Sequence, residues 1–473
     1  MTIRTRRVLV GASYIIFIAA LGPILLYTFG YRLSPESWTL QKTGGFFVST
    51  APLNSRISID GKFKKETSFI SRGAFVQNLR PKSYTILVEK DGFWPWTKTL
   101  PIRPSAVTEA RAVLIPRDPN REIILRGPFE DMIASPQGRF LIFTEKKNDQ
   151  SSRLSFYNLR SGILLTPAST QTKNLLERVG KIPEHISWAS DETSAMVETE
   201  NDWLQLTFNP EGTVSAKSLY ATGDLRRLFK QKPRLVTMHP DDATRIFILD
   251  GERLFIWHGG QPPKIPVLET IAGIIAEENN LIMLDSQSGL LYKTDLDGKA
   301  PQALSQGKIE HMGLAGILSR PDGYLVWSNA GLWFLDTGSA HAQKITDTHL
   351  SKMPLSNNEH VIWSSENTLW IQWLTSDEKL PYYQTERLEK ILETERPISQ
   401  VFHYPNEGYL LTATGEHVFA SELDGRDTRN TISLYKGSHP QLFVPSDEKI
   451  VYILDDHTLF KVSLDTPLVR NTN

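Results

Sequence analysis

Apolar positions along the chain fall into three regimes. Residues 8–31 form an almost uncharged apolar run, preceded by Arg4, Arg6 and Arg7. Its 24 residues exceed the ~20 that cross a ~30 Å hydrocarbon core as a helix. From Gly44 to Pro116 the pattern changes to short runs, several of period two: Phe46–Thr50, Arg56–Ile59, Tyr84–Glu89 and Val107–Ile115, punctuated by Asp60-Gly61 and Asp91-Gly92. This alternation predicts half-buried strands, and Asp-Gly suits a tight hairpin whose turn residues take positive φ. From residue 117 onward a longer rhythm appears, in which a polar turn, an apolar strand and a leucine-aromatic run recur together.

Three copies show the unit clearly. Ser135-Pro136-Gln137-Gly138 leads into Phe140–Phe143 and then Leu154–Tyr157. Arg320-Pro321-Asp322-Gly323 leads into Tyr324–Trp327 and Leu332–Asp336, and Pro445–Glu448 into Ile450–Ile453 and Leu459–Ser463. Marking equivalent turns at residues 136, 190, 240, 278, 321, 357, 405 and 446 gives spacings of 36 to 54 residues, averaging about 44, the period of four-stranded propeller blades. Eight units predict eight blades; seven is the alternative, with the weak fourth unit at Ile271–Asn280 the point of doubt. One blade cannot bury both faces of its sheet, so blades must stack into a closed ring. The last unit ends after its third strand, at Thr466-Pro467, while Glu122–Leu125 stands before the first unit with no unit of its own. The N-terminal segment is therefore predicted to be the outer strand of the final blade, which leaves no open edge. Tyr382–Arg396, containing Glu386–Glu393, reads as a helical or charged insertion.

The predicted organisation is a basic tail (1–7), a transmembrane signal anchor (8–31), a linker (32–43), a small β-sandwich (44–116) and a β-propeller (117–473). Arginines on the short N-terminal side place Met1 in the cytoplasm and the remainder outside, with Tyr27, Tyr31 and Trp38 suited to the interface. Ala19-Ala20 offers a cleavage-like site, but the apolar run continues past it to Leu26, longer than the core of a cleaved signal.

In the small module, Ser49-Thr50-Ala51-Pro52, Ile57–Gly61, Leu79-Arg80-Pro81 with Tyr84, and Lys90-Asp91-Gly92-Phe93 resemble the PEGA domain over about 70 residues. The resemblance implies a β-sandwich found in prokaryotic surface and membrane-attached proteins. Lys82-Ser83 departs from the usual glycine before the tyrosine, and Thr67-Ser68 from the usual Thr-Pro. The repeat pattern of the distal body resembles TolB-type and WD-like propellers, without the Trp-Asp signature.

Composition adds two facts. Formal net charge is -1, and no stretch forms a basic arm, which argues against nucleic-acid binding. Charge is uneven, however: Arg32–Asp118 holds 14 Lys/Arg against 7 Asp/Glu, whereas Pro119 onward holds 35 against 46. A basic membrane-proximal module below an acidic body fits attraction to anionic lipid or wall polymer. Cysteine is absent, which removes disulfides, thiol catalysis and thiolate metal sites.

Catalytic signatures are not found. There is no nucleophile elbow, Walker loop, dinucleotide fingerprint or zinc helix. The 11 histidines, among them His185, His239, His311, His360, His403 and His439, share no fixed phase in the repeat, so they read as satisfied strand residues. Asp295–Gly298, Glu422–Gly425 and Asp455-Asp456 lack the ligand spacing of a calcium loop and read as hairpin turns. No cofactor or metal is expected. The conspicuous surface candidate is Phe93, Trp94 and Trp96 with Lys62, Lys64 and Lys65, where aromatic faces beside cations suit sugar rings or a membrane interface; core packing is the competing reading. The expected function is a non-catalytic binding or assembly scaffold for a protein, peptide or cell-wall glycan. The alternatives are a propeller enzyme of glycan hydrolase or lyase type built from blade loops, and a structural linker between membrane and wall.

Overall fold

The computed structural model describes residues 3–33, 39–67, 73–148, 151–177, 179, 181–258, 263, 265–311, 313–350, 353–374, 387–404, 408–446 and 449–467. The apolar run forms one helix, Ile3–Thr28, with Pro23 inside it. Its stretch Leu9–Thr28 is long and apolar enough to cross a membrane and is not buried by the rest of the chain.

The segment after the helix is more ordered than a linker. Tyr31–Leu33 pairs antiparallel with Leu40–Lys42, Leu33 facing Leu40. Arg32 donates to Tyr27 O and Tyr31 O, both at 2.9 Å, and to Asn78 Oδ1 at 2.9 Å, so one guanidinium ties the last helical turn to the small module. Thr43 N and Oγ1 donate to Gly30 O, both at 2.8 Å. Within the linker expected over 32–43, the described residues thus form a clipped strand pair whose polar groups find partners on both sides; residues 34–38 lie outside the described residues.

The small module is a β-sandwich. One sheet contains, in spatial order, Lys62–Glu66, Arg56–Ile59, Ser83–Glu89 and Trp96–Pro101; the other contains Gly73–Leu79, Gly44–Ala51 and Val107–Val113. Alternate residues of the two sheets, including Phe46, Val48, Ile57, Ile86, Val88 and Ala110, meet in one core, as period-two patterning requires. Asp60 and Gly61 both have positive φ, 47° and 72°, the combination a type I′ hairpin needs.

From Pro119 to Pro467 the described residues form eight successive sheets, most of them four-stranded and antiparallel. The weak fourth unit has a sheet of its own, in which Ile271–Ala276 pairs with Leu281–Asp285. A hydrophobic core lies between each consecutive pair of sheets. Phe140, Ile142 and Phe156 of the first sheet, for example, meet Ala195, Val197 and Leu206 of the second. The series returns on itself, since Tyr452, Leu454 and Leu459 of the last sheet meet Met132, Leu141 and Phe143 of the first. Closure is made as the sequence predicts. Pro119–Arg126 pairs with Thr458–Pro467, Ile123 opposite Phe460 and Leu125 opposite Leu459, and forms the outer strand of the last sheet. The architecture is a β-propeller.

Polar side chains stitch neighbouring inner strands where apolar packing gives out. Gln441 accepts from Met132 N at 2.6 Å and donates to Glu130 O at 2.9 Å. Gln400 accepts from Leu442 N at 2.7 Å, and Arg320 donates to Ser356 Oγ and Asn357 O. Glu192 accepts from Ser135 Oγ at 2.9 Å and from Gln137 N at 2.6 Å. Each pair spans two sheets, which fixes how one blade is rotated against the next.

The described part of the expected 382–396 insertion is a strand, not a helix. Leu388–Glu393 completes the sixth sheet against Thr368–Trp373, burying Glu389 and Ile391 on one face. Three charged residues in that strand, Glu389, Lys390 and Glu393, gave it a helical look, while its burial pattern has period two. Residues 382–386 lie outside the described residues.

The sandwich docks on the seventh sheet through its strand Trp96–Pro101. Trp96 Nε1 donates to Glu422 Oε1 at 2.9 Å, and Lys98 Nζ donates to Glu422 Oε2 at 2.7 Å and Asp424 O at 2.9 Å. Lys98 is wholly buried. Thr99 N donates to Asp427 Oδ2 at 2.6 Å, and Val113 and Ile115 enter the core between the seventh and eighth sheets. An ammonium buried this way is tolerable only with its counter-charge in place. Glu422→Ala is therefore expected to lower stability by about 3–5 kcal/mol, read by urea unfolding of the full chain. Adding Lys98→Met to Glu422→Ala should recover part of the loss; no recovery would mean that the pair is not what holds the interface.

Candidate functional site

The inner strands converge on a cavity of about 1100 Å³. Its walls come from the first, second, sixth, seventh and eighth sheets: Ile133, Ile186, Trp188, Leu355, Phe402 and Leu442 among them. Gln137, Glu184, Asn357 and Glu359 supply a polar rim, and all four are exposed. In a four-stranded antiparallel sheet the first-to-second and third-to-fourth connections lie on one face. The cavity is bordered by first-to-second turns such as Ser135–Gly138, and the sandwich docks on the third-to-fourth connection of the seventh sheet. Module and cavity mouth therefore share a face, and Arg111 of the sandwich strand Val107–Val113 reaches the cavity lining.

Two histidines stand at its inner wall. His360 opens the second strand of the sixth sheet, and His403 closes the first strand of the seventh. Their ring centroids lie 5.2 Å apart, and the edge of Trp373 faces His360 at 5.0 Å. His360 is 2 % exposed. Neither of its ring nitrogens has a hydrogen-bond partner, nor has His403 Nε2 or the buried Tyr409 hydroxyl. These four atoms belong to residues that line the cavity, and polar atoms buried without partners cost ~1–3 kcal/mol each. Burial first, then the charges of His403 and Arg320, pushes the His360 imidazole down to about 3. Burial alone takes His403 to about 4. Both rings are neutral near pH 7 and can each offer one donor and one acceptor.

Two of the carboxylates at this site, Glu422 and Asp424, are engaged within the protein. Glu422 serves Lys98 and Trp96, and Asp424 accepts from Arg426 Nη2 at 2.7 Å and Nε at 3.0 Å. Asp295–Gly298 is a turn, in which Asp295 Oδ1 accepts from Asp297 N at 3.0 Å and Lys299 N at 2.7 Å, whereas Glu422 and Asp424, also read as a hairpin turn, belong to the docking interface.

The sequence-derived patch does not assemble. Phe93 is buried in the sandwich core and Trp96 in the docking interface, as the core-packing reading requires, because alternation along Trp96–Pro101 turns the tryptophan inward. Trp94 remains 41 % exposed, but Arg117 lies over its ring at 5.2 Å, at the junction with the propeller. Lys62, Lys64 and Lys65 are exposed on the edge strand Lys62–Glu66, where lysines discourage edge-to-edge pairing. Sequence reasoning missed His360 and His403 because they sit on opposite sides of their turn markers, three residues after Asn357 and two before Pro405. The antiparallel pairing of first and second strands within each sheet puts both phases at the same edge, and the packing of neighbouring sheets brings the two rings together. A histidine near a turn in two consecutive repeats was the available signal.

No family model matches the chain, and no curated protein matches it. Among solved structures it is similar to the β-propeller domain of Cps50 (Swd1) from Myceliophteria thermophila, at 11 % identity and TM-score 0.40, covering 73 % of this chain and 100 % of that one. The Dos1 propeller aligns at 9 % identity and TM-score 0.45 over 73 % of this chain and 95 % of that one. The WD40 domain of SCAP from fission yeast aligns at 12 % identity and TM-score 0.41 over 74 % and 98 %.

The neutral imidazoles carry a pH signature. Histidines whose folded pKa is depressed contribute stability that is whole above the unfolded value of about 6.5 and is lost as pH falls toward their folded values. The urea midpoint is therefore expected to fall between pH 6.5 and 4, with a shallower fall in the His360→Gln/His403→Gln variant. An unchanged slope in that variant would assign the acid sensitivity to other groups.

Proposed function

We propose that the protein is a single-pass, membrane-anchored binding platform of the cell envelope. Its N-terminus lies in the cytoplasm, and its sandwich and propeller lie on the extracytoplasmic side. The reading rests on the apolar helical stretch Leu9–Thr28, preceded in the chain by Arg4, Arg6 and Arg7. The sandwich is a PEGA-type module, supported by the Asp60-Gly61 hairpin and by two sheets packed over one core. The ring binds its ligand, a protein segment or glycan, in the cavity it shares with the sandwich, and does so without chemical turnover.

The observation that carries this reading is the cavity itself: about 1100 Å³, apolar walls, a polar rim and a cluster of unpartnered buried donors and acceptors. These are the attributes of ligand sites. Two of its lining acids, Glu422 and Asp424, are committed to Lys98 and Arg426, which supports binding over acid–base catalysis at those two.

Because the chain has no cysteine, orientation can be read with single cysteines in intact cells. Ser161→Cys should react with a membrane-impermeant maleimide and Thr5→Cys should not; the reverse pattern would invert the topology. A photo-crosslinker at Met353, on the cavity rim, should give adducts in envelope preparations at several-fold the yield of one at Glu366, on the opposite face of the same sheet. Equal yields would remove the cavity as the binding face.

A further inference from the structure

The sandwich has two poles. Strand registers place Trp96, Glu89 and Val113 at the propeller-facing pole. Gly44 and Leu79, which are paired, and Ser83 and Pro101, also paired, lie at the opposite pole. That second pole is the one from which the apolar helix leaves. Thr43 accepts from Ser105 N at 3.0 Å while donating to Gly30 O at 2.8 Å, and Arg32 bridges the helix end to Asn78.

Basic residues distant in sequence converge there. Arg32 and Lys42 come from the clipped strand pair, Lys62 from the turn after Asp60, Arg80 and Lys82 from the connection Arg80–Lys82, and Arg103 from the connection after Pro101. All but Arg32 are exposed. Among the described residues the facing carboxylate at this pole is Asp60, and Lys82 Nζ holds it at 3.0 Å. Exposed apolar side chains border the same ring: Tyr27, Phe29, Leu33 and Leu40. Cations encircling an apolar helix end, with leucines and aromatics beside them, are the arrangement that meets a headgroup layer.

From this juxtaposition we infer that the helix-proximal pole of the sandwich is a collar that binds anionic phospholipid headgroups of the leaflet from which the helix emerges. The inference rests on the membrane-anchor reading and extends it: the anchor supplies attachment, and the collar selects lipid and seats the module on the surface. Arg80, Lys82 and Arg103 lie in short connections rather than in the core, so replacing them leaves the sandwich packing intact.

Alkaline carbonate extraction of membranes carrying the full chain comes first. Release of the protein would sink the anchor reading and the collar with it. Detergent-solubilised full-length protein is then offered equimolar phosphatidylglycerol and phosphatidylcholine, and bound lipid is counted by native mass spectrometry. Wild type should retain the anionic lipid about fivefold or more over the zwitterionic one, since each cation near the surface adds to the attraction. The Arg80→Gln/Lys82→Gln/Arg103→Gln variant should approach parity with an unchanged melting temperature, while Lys217→Gln/Lys293→Gln/Lys299→Gln on the propeller should keep the preference. Membrane integration with equal retention of both lipids by wild type would overturn the collar alone. An equal loss in the propeller control, or stronger retention of inorganic polyphosphate than of either lipid, would overturn it too.

Discussion

The backbone pairing between Pro119–Arg126 and Thr458–Pro467 is the contact on which the remaining arrangement depends. It joins strands more than 300 residues apart, so it forms only when the intervening sheets have stacked far enough to return to their start. It also dictates where the sandwich can be. The closing strand follows the last sandwich strand, Val107–Val113, after five residues, and a connection that short cannot carry the module across the ring. The sandwich is thereby held beside the seventh and eighth sheets. There the Lys98–Glu422 pair and the insertion of Val113 and Ile115 into the intersheet core convert proximity into a defined interface.

Closure and docking together explain why the cavity is off-axis. A propeller alone offers a channel bordered by every inner strand. Here one flank of the mouth carries a second domain, whose Arg111 joins the lining. The walls are apolar because inner strands pack against their neighbours, and the rim is polar because the turns meet water. His360 and His403 break that division, being polar groups on an inner wall, and burial keeps both neutral near pH 7.

Much of the architecture was legible in the sequence. The recurring turn-strand unit marked the sheets, and the surplus strand Glu122–Leu125 opposite a final unit short of one strand disclosed the closure. What stayed hidden depended on contacts between distant segments. The strand pair Tyr31–Leu33 with Leu40–Lys42 is clipped by bonds to Gly30 and Asn78, which no local propensity records. Trp96 looked like a surface residue because its partner, Glu422, is 326 positions away. Leu388–Glu393 looked helical because charge dominated its composition, whereas its place as an outer strand is decided by its neighbour in the sheet. The cavity was invisible for the same reason: its lining is drawn from five sheets, and each contributes residues unremarkable in their own repeat.

The clip at the helix end has a mechanical consequence. Arg32 and Thr43 remove the slack that a flexible stalk would provide, and the buried Lys98–Glu422 pair removes it again at the next junction. Under the membrane anchoring proposed above, helix, sandwich and ring would act as one lever with its fulcrum at the bilayer surface. A helix of 26 residues is ~39 Å long, and its tilt in a bilayer sets the direction in which the cavity mouth points. Changes in bilayer thickness, which alter helix tilt, would swing the opening through an arc that lengthens with distance from the membrane.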